Sequence, residues 1–63
     1  MKLINAYTEK KMFLDAREIE SINELKEDKC LIITKSGSKV WARHSYQEVF
    51  DMMSRERLVG GGF

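Results

Sequence analysis

The chain has 63 residues, with eleven Lys and Arg against ten Asp and Glu, one cysteine and one histidine. That length gives a single domain with a small core, because a chain of this size buries only about 60% of its unfolded surface. Near-balanced charge argues against a dedicated nucleic-acid binder, and the lone cysteine and histidine exclude an intrachain disulfide or a Cys/His metal cluster, so oligomerisation is the remaining way to reinforce so small a core.

The opening Met1 to Tyr7 lacks the apolar stretch of a signal peptide, and the run Leu31-Ile32-Ile33 is far too short to span a membrane. A lone reduced cysteine fits the cytoplasm. Lys2 to Thr8 alternates as a strand, Thr8-Glu9-Lys10 is polar enough to turn the chain, and Lys11 to Leu14 reads as a second strand, which together make a hairpin. Asp15 and Glu18 have capping-box spacing, which predicts one helical turn. Beyond it, a third strand over Ser21 to Leu25 and a helix through Ala16, Ile19 and Asn23 fit about equally well.

Lys26-Glu27-Asp28-Lys29 is a solvated turn. Cys30 to Lys35 is rich in β-branched residues and predicts a strand, with Lys39 to Arg43 as its partner. A tight turn at Ser36-Gly37 sets Ile33 opposite Val40 and Leu31 opposite Ala42. On that register Leu31, Ile33, Val40 and Ala42 share the core face, while Ile32 and Trp41 are neighbours on the other, with Lys39 and Arg43 flanking the Trp. Ser45 to Glu48 is a capping box, and a helix follows to about Leu58. Its apolar stripe is Tyr46, Val49, Phe50 and Met53, with Glu48, Asp51, Arg55 and Glu56 turned to water. Residues 1–58 form the domain and 59–63 a flexible Gly-rich tail.

The fold class is therefore α+β: a small antiparallel sheet of four to five strands with one C-terminal amphipathic helix packed on one face. Nothing in the sequence builds an active site. His44 has Ser45 beside it, but that hydroxyl caps the helix, and no nucleophile motif, phosphate loop or His-x-x-x-His spacing is present. Cys30 reads first as a small strand hydrophobe and second as a thiol activated by Lys29. Met12, Met52 and Met53 read as core gap fillers. The candidate binding residues are Ile32, Lys39, Trp41, Arg43 and His44, with no cofactor and no metal. An aromatic and an aliphatic side chain bordered by cations suit a contact patch, although the same residues also fit burial against the N-terminal hairpin.

Phe13-Leu14-Asp15-Ala16, Ile19-Glu20-Ser21-Ile22, Leu31-Ile32-Ile33-Thr34, Ser36-Gly37-Ser38-Lys39-Val40 and Arg43-His44-Ser45 before Glu48-Val49 occur in an order that resembles the FlbD-like family of small flagellar and swarming-motility proteins. That resemblance covers Lys2 to about Met53, implies a motility-type regulator and carries over no catalytic residue. The Ile19 to Val49 portion also resembles about half of a LytTR-type DNA-binding domain. The expected function is a non-enzymatic regulatory or adaptor protein, of motility or phage type, that binds a protein partner as a homodimer. Two other readings stand beside it. One is capture of a small anionic, nucleotide-like ligand at a dimer interface by Lys39, Arg43 and His44. The other is nucleic-acid binding through the Lys39-Trp41-Arg43 face.

Overall fold

The first hairpin is held by a side chain. In the computed structural model, which describes residues 1–61 and the side chains of residues 1–56, strand β1 (Lys2–Ile4) pairs antiparallel with β2 (Lys11–Phe13), Leu3 lying opposite Met12. The strand ends earlier than its alternation predicts because the Asn5 Oδ1 accepts the amides of Tyr7 at 2.9 Å and Thr8 at 3.0 Å, which bends the chain there. Glu9 closes the loop at φ 60°, and its amide reaches the Asn5 carbonyl at 3.0 Å.

The expected helical turn forms as a single 3-10 turn, η1 (Ala16–Glu18), capped by Asp15, whose Oδ1 accepts the Arg17 amide at 2.9 Å. The open choice that follows resolves as a strand. β3 (Ile19–Lys26) pairs antiparallel with β4 (Lys29–Thr34), and β4 pairs with β5 (Lys39–Ala42). The architecture is thus a two-stranded and a three-stranded antiparallel sheet plus one C-terminal helix, α1 (Tyr46–Gly61). The sheets meet at a bridge between Asn5 and Ala42, flanked by Ala6 N–H to the Trp41 carbonyl at 2.9 Å and Arg43 N–H to the Ile4 carbonyl at 2.7 Å. The helix runs to Gly61, past the expected end near Leu58 and into the expected tail over residues 59–63, of which residues 62–63 lie outside the described backbone.

The β4–β5 register differs from the expected one by a residue. Leu31 lies opposite Trp41, and Ile32 opposite Val40. The loop holds three residues, Lys35, Ser36 and Gly37, rather than two: Gly37 donates to the Thr34 carbonyl at 2.9 Å and sits at φ +90°, the left-handed position of a type I turn followed by a bulge. The Thr34 hydroxyl accepts the Ser38 amide at 3.1 Å and pins that geometry. Because side chains alternate with period two, the extra residue turns β4 over relative to β5. Cys30 and Ile32 therefore join Val40 and Ala42 on the core face, in place of Leu31 and Ile33.

Cys30, Ile32, Ala42 and Val49 are all 0% exposed and form the centre of the core with Leu3, Ala16, Ile19 and Met1. Met12, Met52 and Met53 pack on it, as gap fillers should. The capping box closes as predicted: Glu48 N–H donates to the Ser45 Oγ at 3.1 Å, and Ser45 N–H to the Glu48 Oε1 at 3.2 Å. The helix is rotated relative to its expected stripe. Val49, Met52 and Met53 face the core, while Tyr46 and Phe50 stack on each other at its side, 39% and 42% exposed. Glu56, expected in water, is half-buried and pairs with the Met1 ammonium at 2.9 Å. That contact fixes which side of the helix turns inward.

Candidate functional site

The three-stranded sheet has a second face, opposite Val49. Ser21 and Asn23 of β3, Leu31 and Ile33 of β4, and Lys39 and Trp41 of β5 lie on it by strand alternation and register. Leu31, Ile33 and Trp41 are half-buried, in contrast to the sealed inner residues. Tyr7 stands on this face, 68% exposed, carried there by the Asn5-centred turn. Its ring meets the Trp41 ring edge-on, with centroids 6.0 Å apart at 70°. The Lys29 Nζ lies over the Tyr7 ring, 5.9 Å from its centroid. The result is an aromatic pair continued by two aliphatic side chains and bordered by cations, the composition of an interface centre.

The five predicted residues separate in the structure. Trp41 and Lys39 share the outer face. Arg43 lies just past β5, exposed, with its Nη1 at 3.4 Å from the Glu9 Oε1. Ile32 does not belong to the face. It is 0% exposed on the inner side and lies opposite Val40, a direct result of the three-residue loop. Leu31 takes its place beside Trp41.

His44 is committed to the fold. The Ile4 amide donates to its Nε2 at 3.1 Å, which leaves Nδ1 as the protonated nitrogen, aimed at the Glu48 Oε2 3.5 Å away. Both ring nitrogens are thus engaged, one fastening β1 and one fastening the helix start. The Ser45 amide, and after it the His44 side chain, hold the Glu48 carboxyl below its ordinary value. Burial pushes the Cys30 thiol up, with the Glu48 charge adding to it, so the thiol is a packed hydrophobe and Lys29 does not activate it.

Sequence reasoning missed Tyr7, Lys29, Leu31 and Ile33. The last three follow once the loop is read as Lys35-Ser36-Gly37, and the signal for that was a glycine in third place after a hydroxyl residue, the pattern of a bulged hairpin. The signal for Tyr7 was Asn5, a turn-forming side chain that ends its strand. Among the described residues no group of three or more His, Cys, Asp or Glu side chains is placed to hold a metal, and no helix is long and apolar enough to cross a membrane. Comparison with models of protein families, with curated proteins and with solved structures gave no match to the chain.

Proposed function

We propose that the chain is a small non-enzymatic regulatory or adaptor protein, cytoplasmic and homodimeric, that binds a protein partner through the outer face of its three-stranded sheet. The observation that carries the reading is the apolar strip Leu31, Ile33 and Trp41, extended by the exposed Tyr7 on the side of the sheet away from the helix. Such a strip, centred on aromatic side chains and rimmed by Lys29 and Lys39, has the make-up of a protein contact. The order of motifs, which resembles that of the FlbD-like family, favours a motility-type role, and a phage-encoded modulator of a host system has the same small, charge-balanced form.

Two features favour a protein partner over nucleic acid or a small anion. Arg43 pairs at the surface with Glu9, and both nitrogens of His44 face groups of the fold, so Lys39, Arg43 and His44 do not converge on one anion. The test is affinity capture from the native host with the wild type and with Trp41→Ala. The expected result is a specific protein retained through moderate salt and lost with Trp41→Ala while the fold persists. Nucleic acid released steeply by salt would replace this reading with the nucleic-acid one. Thermal stabilisation by a nucleotide, with no protein retained, would replace it with ligand capture.

A further inference from the structure

β3 is the longest strand, eight residues, and in the described residues it pairs on one side only. Glu20, Asn23, Glu24, Leu25 and Lys26 are exposed along it, and it contains no proline to block the free side. A long open edge of this kind is a template for another strand. Beside it runs a groove of about 230 Å³ between β3 and α1, lined by Ile19, Ile22, Tyr46, Phe50 and Met53 together with the polar Glu20 and Ser21. The stacked rings of Tyr46 and Phe50, about two-fifths exposed, stand in that groove.

We propose that the free edge of β3 pairs antiparallel with β3 of a second copy, with the two-fold axis at Asn23, making a continuous six-stranded sheet across the dimer. The occupant follows from the charge order of the strand. Only alternate residues turn their N–H and C=O toward a given edge, so a symmetric antiparallel pair has three choices in the central run, with the axis at Ile22, Asn23 or Glu24. At Ile22, Glu20 of each copy meets Glu24 of the other. At Glu24, that carboxylate meets its own copy. At Asn23, Glu20 meets Lys26 twice, and no like charges oppose within the strand. Register irregularities near Glu20 and near Leu25 bound the regular run Ser21 to Glu24, so the pairing is short and its ends are set by these two charges. An axis perpendicular to the sheet keeps the two helices on one side, where the groove of each copy adjoins that of the other and Tyr46 and Phe50 gain cover.

This inference rests on the homodimer part of the reading above and assigns its surface, leaving the Trp41 face open to the partner. The experiment is sedimentation and native mass spectrometry of the full chain over a wide concentration range, with folding followed by circular dichroism. The wild type is expected to dimerise. Glu20→Lys and Lys26→Glu, each alone, oppose like charges twice and are expected to weaken the dimer by about tenfold. The double variant, and an equimolar mixture of the two single variants, restore the opposite-charge pairs and are expected to regain it, the mixture as heterodimers. Trp41→Ala is expected to leave the dimer intact. A monomeric wild type overturns both the inference and the homodimer reading. A dimer indifferent to the single variants, or not restored in the mixture, overturns the β3 edge alone, and a dimer lost with Trp41→Ala moves the interface to the outer face.

Discussion

The two faces of the three-stranded sheet are made from neighbouring residues of the same strands, yet their fates are opposite. On one, Cys30, Ile32 and Ala42 are sealed at 0% exposure with Val49. On the other, Leu31, Ile33 and Trp41 remain half-open beside Tyr7. Composition does not separate them, since Leu31 and Ile33 are at least as apolar as Cys30 and Ile32. What separates them is parity, and parity is set several residues away by the length of a loop. An apolar strand announces that it has something to bury. The turn decides which half of it is buried and which half stays half-open.

The sharpest test of that distinction compares Ile32→Ala with Leu31→Ala. Ile32 has no exposed surface and lies at the centre of the packed cluster, so its truncation is expected to cost about 2–4 kcal/mol in chemical denaturation. Leu31, half-open on the outer face, is expected to lose roughly 1 kcal/mol. Equal losses at the two positions would remove the difference between the faces, and a larger loss at Leu31 than at Ile32 would return the hairpin to its two-residue loop.

Gly37 controls the parity itself. Its φ of +90° lies where side-chain-bearing L-residues are strained, and an added Cβ would meet no atom within 4 Å. Gly37→Ala is therefore expected to cost about 1–2 kcal/mol through backbone conformation alone. Chemical synthesis with D-alanine at position 37 separates the causes, because the mirror-image residue favours positive φ. Thermal unfolding should show the L-form destabilised and the D-form as stable as the wild type or more so. Equal destabilisation by both would mean that bulk, not φ, matters there.

What the sequence disclosed follows the same division between local and distant causes. The helix start was legible because Ser45 and Glu48 satisfy each other within four residues. The existence of β4 and β5 was legible from residue type, and so was Trp41 on the outer side. The register of β4 was not, because it depends on a Thr34 hydroxyl fastening Ser38 across the loop. Half of the helix's inward side was legible, in Val49 and Met53, and the rest was not, because Met52 turns to the core and Glu56 to the Met1 ammonium, some fifty residues away in sequence. Tyr7 joined the candidate site only through the turn at Asn5. The candidate site was therefore half visible: Trp41 could be placed on the outer face, and its neighbours there depended on contacts no window contains.

The helix cap offers a smaller effect that sharpens the same point. Ser45→Ala removes the acceptor of the Glu48 amide and is expected to cost about 1 kcal/mol, read as a lower denaturation midpoint with unchanged slope. Since the cap is local, that loss should add to the loss at Ile32 in the double variant within about 0.5 kcal/mol. A strongly non-additive pair would mean that the helix start and the sheet core are one cooperative feature.

Acid should produce the smallest effect, confined to the exposed rim. The Arg17 side chain, and then its amide, lower the Asp15 carboxyl from its ordinary 3.8 to about 2, and the Ser45 amide lowers Glu48. A carboxyl depressed in the folded state adds stability above its unfolded value and loses it as pH falls through the folded one. Thermal stability is therefore expected to decline gently from about pH 5 toward pH 2. Both groups lie in water, which screens them and keeps the slope shallow. Asp15→Asn and Glu48→Gln keep an acceptor at each cap while removing the charge, so the double variant should flatten that decline. The Ile32→Ala loss, which contains no titrating group, should be the same at both ends of the range. If the double variant declines as steeply as the wild type, the acid sensitivity belongs to other carboxyls, and the rim adds no pH dependence to a core that has none.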